Sequence, residues 1–190
     1  MRNTLFLNRG YGLFSEIANY SGVAASDWSW CPIFMDVDLD GLEDVLITNG
    51  VERNARHLDT IIKLKKQRES KKMTNREILL ARRVFPAQDT PNTAFRNLGE
   101  LKFTENASQW GFDTKGVSHG MACGDLDGDG DLDIVVNNLR TAAGVYRNNA
   151  ARSRIAVRLS GPPGNTTGIG ARIEIEHDEQ SQSQEMIGGG

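Results

Sequence analysis

Along most of this chain, apolar and polar positions alternate in short runs broken by glycine, asparagine and aspartate, the pattern of strands joined by tight turns. Residues 4–8 and 13–17 read as two short strands about the turn Arg9-Gly10-Tyr11-Gly12, with Phe6 and Phe14 as core anchors. Trp28-Ser29-Trp30 leads into a strand over 31–35, and another follows over 45–48. The two tryptophans offer either a carbohydrate platform or, more simply, packing beside the strand. Residues 92–138 restart the pattern, and 142–148 add a strand ending in Tyr146-Arg147-Asn148, similar in type to Phe95-Arg96-Asn97. Composition then changes. Ile155, Val157 and Leu159 alternate with Ala156 and Arg158, Gly161-Pro162-Pro163-Gly164 turns the chain, and Ile173 and Ile175 alternate with Arg172 and Glu174, which predicts a further β unit. Gly168, Gly170 and Ala171 mark close backbone approach rather than a phosphate loop, because no helix signal follows them.

Residues 51–88 depart from this pattern. Leu58, Ile61, Ile62 and the stem of Lys65 form a helical stripe flanked by Lys63, Lys66 and Arg68. Thr74-Asn75-Arg76-Glu77 then fits a capping box opening a second helix through Ile78, Leu79 and Ala81, which Pro86 stops. Charge marks the same segment as an insertion: residues 52–83 hold eleven Lys or Arg against four Asp or Glu, while the rest of the chain has eleven basic and twenty-one acidic residues. A basic helical segment raises the question of nucleic acid, but it has neither interleaved aromatics nor a binding motif. A solvated or acid-facing surface is expected, with no nucleic-acid partner.

The excess of acid outside the insertion is concentrated in two loops. Gly124 to Asn138 reads GDLDGDGDLDIVVNN, with Asp125, Asp127, Asp129 and Asp133 at loop positions 1, 3, 5 and 9 and Gly130 at the sharp turn. Carboxylates at alternate positions of a tight turn can converge on one centre, which suits a hard cation with six to eight oxygen ligands. An EF-hand needs a bidentate Glu at position 12 and flanking helices, whereas position 12 here is Val136 within a β-branched run. Asp36, Asp38, Asp40, Gly41 and Asp44 repeat the pattern at a constant offset of 89 residues, with Ile47 at position 12. The offset extends upstream: Asn3, Thr4, Phe6, Asn8 and Gly10 pair with Asn92, Thr93, Phe95, Asn97 and Gly99, and Phe14, Glu16, Ala18 and Gly22 with Phe103, Glu105, Ala107 and Gly111. One supersecondary unit is therefore used twice, each copy expected to bury a face against the next. A repeated acidic turn without metal is the plainer alternative.

No apolar run is long enough to span a bilayer, and Met1 to Gly10 has no hydrophobic segment of the signal-peptide kind. Cys31 and Cys123 do not occupy equivalent repeat positions and are expected to be buried free thiols.

The units 3–49 and 92–138 resemble FG-GAP (VCBS-type) repeats, in which a segment bearing phenylalanine and glycine precedes a D-x-D-x-D-G-x-x-D loop. Residues 154–161 and 165–172 look like the start of an ASPIC/UnbV domain, and the combination resembles the cartilage acidic protein family and its bacterial relatives. That resemblance implies an all-β fold, a partial β-propeller with integrin α-like calcium loops. Its parts would be a first repeat over 1–50, the basic helical insertion over 51–88, a second repeat with a following strand over 89–150, and a truncated ASPIC/UnbV-like unit over 151–190. The ligands of one Ca2+ ion would be the side chains of Asp36, Asp38, Asp40 and Asp44 with the carbonyl of Leu42, and of the other those of Asp125, Asp127, Asp129 and Asp133 with the carbonyl of Asp131. The first loop, with Leu39 and Leu42 where the second has Gly128 and Asp131, is expected to bind more weakly. Two repeats cannot close a propeller, so a fragment of a longer exported protein is expected, its remaining blades being partners.

The function implied is a non-enzymatic, calcium-stabilised module for adhesion or recognition, extracellular or periplasmic, with a protein or glycan ligand. The alternative is the propeller part of an extracellular hydrolase or lyase. Of the three histidines, His57 falls in the insertion, His177 near the end, and His119 beside Ser118 without a nucleophile elbow, so none is assigned a catalytic role.

Overall fold

The computed structural model describes residues 2–188 apart from 72, 153, 154, 156, 178 and 179. The first repeat holds β1 (Phe6–Asn8), β2 (Phe14–Glu16), the short helix α1 (Ala18–Ser21), β3 (Ser29–Met35) and β4 (Asp44–Asn49). Helices α2 (Leu58–Ser70) and α3 (Asn75–Ala81) follow. The second repeat runs through β5 (Thr90–Pro91), β6 (Thr93–Asn97), β7 (Phe103–Glu105), β8 (Lys115–Gly116), β9 (Ser118–Gly124) and β10 (Asp133–Asn138), and β11 (Gly144–Tyr146) comes next. β12 (Arg172–His177) and β13 (Gln180–Glu185) form a two-stranded antiparallel ribbon. Strand outweighs helix, 33% to 15%, and no helix of the described residues is long and apolar enough to cross a membrane.

Strand bounds follow the sequence offset: β3 and β4 recur 89 residues later as β9 and β10, and β2 as β7. The sheets nevertheless do not coincide with the repeats. β3 and β4 join β6 and β7 in one antiparallel sheet of order β3-β4-β6-β7, two strands from each repeat, while β9, β10 and β11 form a second sheet of order β11-β10-β9. Side chains alternate across a strand, so β4 feeds two cores at once. Leu46 packs with Met35, Ala94, Ala107 and Phe112 against Ile134 and Val136 of β10. Val45, Ile47 and Phe95 take the other face, against Ala18 and Val23. The first core holds the two large sheets together, and the second seats the β1–β2 hairpin and α1.

Phe6 and Phe14 are not core anchors. Phe6 is 59% exposed and Phe14 is also exposed, whereas Phe95, the repeat partner of Phe6, is only 4% exposed. β6 lies against β4, pairing Phe95 with Val45, but β1 pairs only with β2 among the described residues, so nothing covers the ring of Phe6. The predicted stripe of α2 is not buried either: the helix forms, with His57 as its N-cap, but Leu58, Ile61 and Ile62 are exposed.

The insertion leaves the body at a bridge between Val51 and Gln88, whose backbones exchange hydrogen bonds of 3.1 and 2.9 Å. Its capping box is complete. The Glu77 N–H donates to Thr74 Oγ1 at 3.3 Å, Glu77 Oε2 accepts from the Thr74 N–H at 2.8 Å, and Lys71 Nζ reaches Glu77 Oε1 at 2.7 Å. Lys71 first, and the Thr74 bonds after it, hold the Glu77 carboxyl well below its usual value, at about 2.

Two further expectations are corrected. The described residues of 155–159 form no strand, and Ile155 is exposed, while Ala156 lies outside the described residues. Cys31 and Cys123 are free thiols, but Cys31 is half-buried and Cys123 exposed, so neither is a core residue. Close approach holds at Gly168, where a Cβ would lie 3.0 Å from the Leu159 side chain, but not at Gly170, where a Cβ would meet nothing within 4 Å.

The paired repeat positions give a direct test of the packing. Phe95→Ala is expected to cost about 3–5 kcal/mol in equilibrium urea unfolding and Phe6→Ala less than about 1 kcal/mol, because only the first vacates a filled core site. For α3, the Glu77 contribution is present above pH 4.5 and lost as pH falls from there through about 2, since its folded pKa lies below its unfolded one. NMR titration of its carboxyl should show a midpoint near 2 that moves up in Lys71→Ala.

Candidate metal centre

Each acidic loop joins two antiparallel neighbours, β3 to β4 and β9 to β10, and its first carboxylate folds the loop around itself. Asp36 accepts N–H bonds from Asp40 at 3.0 Å and Gly41 at 2.8 Å, and Asp125 accepts them from Gly128 at 2.7 Å and Gly130 at 3.0 Å. Gly41 and Gly130 both have φ of +91°, a conformation that side chains with a Cβ rarely adopt. Position 4 also sits at positive φ in both loops, as Gly128 in the second and as Leu39 in the first, where it carries strain. At position 5, Asp40 and Asp129 accept from the N–H groups of Leu42 and Asp131, at 3.0 and 3.1 Å.

Position 9 ties the loop to the rest of its sheet. Asp44 is fully buried, accepting from the Val37 N–H at 2.9 Å and from the Asn97 N–H at 2.8 Å. Asp133, also buried, accepts from Leu126 at 3.0 Å and Asn148 at 2.8 Å in the same arrangement. Burial pushes the Asp44 carboxyl up to about 6, and the charges of Asp38 and Asp40 add to the push while its two backbone hydrogen bonds oppose it. Burial raises Asp36 as well. A set of carboxylates disfavoured as anions by burial and by one another is stabilised by any cation placed among them.

The expected ligands converge in part. Oxygens of Asp36, Asp38 and Asp40 lie within 4.8 Å of one another in the first loop, and those of Asp125, Asp127 and Asp133 do so in the second. Asp44 is outside the first group and Asp129 outside the second. Leu42 and Asp131 follow at position 7, the first half-buried and the second buried. The donor set is all oxygen, and Asp38 Oδ1 is buried without a hydrogen-bond partner, so these loops fit a hard divalent ion.

Sequence reasoning missed the cationic side of the site. Arg96 Nη2 lies 2.6 Å from Asp38 Oδ2 and 3.1 Å from Asp40 Oδ2, while Arg147 Nε lies 2.7 Å from Asp127 Oδ2 and its Nη2 3.7 Å from Asp129 Oδ2. Both arginines precede the asparagine whose N–H meets the position 9 aspartate. The likeness of Phe95-Arg96-Asn97 to Tyr146-Arg147-Asn148 was the available signal.

Beside the loops, a cleft of about 330 Å³ opens between the two large sheets, its lining including Met35, Trp110, Phe112 and Ile134 together with Asp38 and Arg147. His119, by contrast, stacks its ring edge-on to Trp30 at 4.7 Å.

Position 9 predicts a stability effect that needs no metal. In chelator, Asp44→Ala and Asp133→Ala are each expected to lose about 2 kcal/mol or more in urea unfolding by leaving two N–H groups without acceptors, while Asp127→Ala loses less than about 1 kcal/mol.

No curated protein matches the chain. Residues 76–136, from within α3 through both strands of the second acidic loop, match the family model for the FG-GAP-like repeat, so this portion of the chain is similar to an FG-GAP-like repeat.

Proposed function

We propose that the chain is a calcium-binding, non-enzymatic recognition module, part of a β-propeller acting outside the cytoplasm. The observation that carries this reading is the duplicated loop: two segments 89 residues apart fold alike and each gathers three carboxylates within 4.8 Å, one of them presenting a buried oxygen with no partner. The match of residues 76–136 to the FG-GAP-like repeat also supports it. Asp36, Asp38 and Asp40 would hold one ion and Asp125, Asp127 and Asp133 the other, with Asp44, Asp129 and the carbonyls of Leu42 and Asp131 completing the sets.

Propeller membership is supported by the four-stranded sheet packed face to face on its neighbour, the way blades stack. A bound ion would fix the loops that flank the cleft, and the cleft is the surface we propose for a protein or glycan ligand. The packing of the His119 ring on Trp30 favours a structural histidine over a catalytic one. The start of an ASPIC/UnbV unit after residue 150 is part of the same reading.

Calorimetric titration of calcium tests it. Two sites are expected in the wild type, one lost in Asp38→Ala and the other in Asp127→Ala, and calcium at a hundred times Kd should add about 2.7 kcal/mol of stability per site. Absence of binding at millimolar calcium would overturn the metal reading.

A further inference from the structure

We propose that Arg96 and Arg147 are built-in counter-ions of the two loops, each ordering its loop when empty and lowering its affinity for a divalent cation. The inference rests on the calcium reading above. Each arginine meets the same two carboxylates, those at loop positions 3 and 5. The chain reaches this arrangement by different routes, since Arg96 follows its loop across the helical insertion and Arg147 follows after a short turn. Conserved spacing therefore does not explain it.

A third aromatic-x-Asn segment acts as an internal control. Asn8, Asn97 and Asn148 each accept the N–H of the residue two positions on, at 2.9, 3.0 and 3.1 Å, so the three turns are alike. The middle residue is Arg in the two segments beside an acidic loop and Leu7 in β1, beside which no acidic loop lies among the described residues. The arginine accompanies the loop and not the turn.

The division of oxygens explains how both charges are accommodated. Arg96 takes the Oδ2 atoms of Asp38 and Asp40, and Asp38 Oδ1 is left buried without a partner. A cation seated on such inner oxygens would face the guanidinium across the carboxylates. Repulsion between a single and a double charge held on opposite sides of the same carboxylates weakens binding roughly tenfold even at the dielectric of water. With no cation present, the same guanidinium offsets the mutual repulsion of the carboxylates. The effect is greater at the first loop, where Arg96 is 35% exposed and makes two close contacts, than at the second, where Arg147 is 63% exposed.

Calcium titration of Arg96→Gln, Arg147→Gln and the corresponding lysine variants, with melting curves in chelator, tests the proposal. Each glutamine variant is expected to bind calcium roughly tenfold more tightly at its own loop and to melt at lower temperature in chelator, and the lysine variants, keeping the charge, should stay near wild type. Unchanged or weaker calcium binding in both glutamine variants, beside a binding wild type, would overturn this proposal alone. No binding by any of the chains would overturn the calcium reading and this inference together. If Arg96→Gln does not fold, the more exposed Arg147→Gln decides the matter.

Discussion

The structure depends on one buried carboxylate used twice. Asp44 and Asp133 each hold the second residue of their own loop and an asparagine, Asn97 at the end of β6 and Asn148 just past β11, and so tie the loop to the neighbouring strand with a single side chain. A neutral side chain with one acceptor could not serve both N–H groups so well, and a charged one suffers from its burial. That tension is visible in the raised pKa of Asp44. It is the reason the loop needs positive charge nearby, and the arginines answer part of that need from within the chain.

Much of this was legible in the residues. The spacing of Asp36, Asp38, Asp40 and Asp44, repeated at Asp125, is a local pattern, and local patterns survive translation into structure because backbone and side chain are covalently close. The capping box at Thr74 was readable for the same reason. Phe6 and Phe14 were misread because burial is not local: a phenylalanine in a strand is covered only if another strand lies beside it, as β4 does for Phe95 and nothing does for Phe6. Arg96 escapes the 89-residue repeat for a related reason. Its repeat partner is Leu7, so the offset that aligned the aspartates hid the residue that faces them.

The two loops are alike but not equivalent. The third member of the converging group is Asp40 in the first loop and Asp133 in the second, and Leu39 adopts a conformation that Gly128 reaches freely. The four aspartates and the glycine at position 6 are the same in both loops, while positions 4 and 7 differ.

The sharing of one sheet between two repeats has a consequence for the order in which the chain assembles. Between β4 and β6 lie 43 residues, the whole insertion included, whereas β10 and β11 are separated by five. Closing the longer loop costs about 2 kcal/mol more in chain entropy by the logarithmic dependence on length. The sheet of β9, β10 and β11 is therefore the cheaper nucleus. On this account the hairpins on either side form locally, and the pairing of β4 with β6, which joins the two repeats in one sheet, is the costly closure that comes after them.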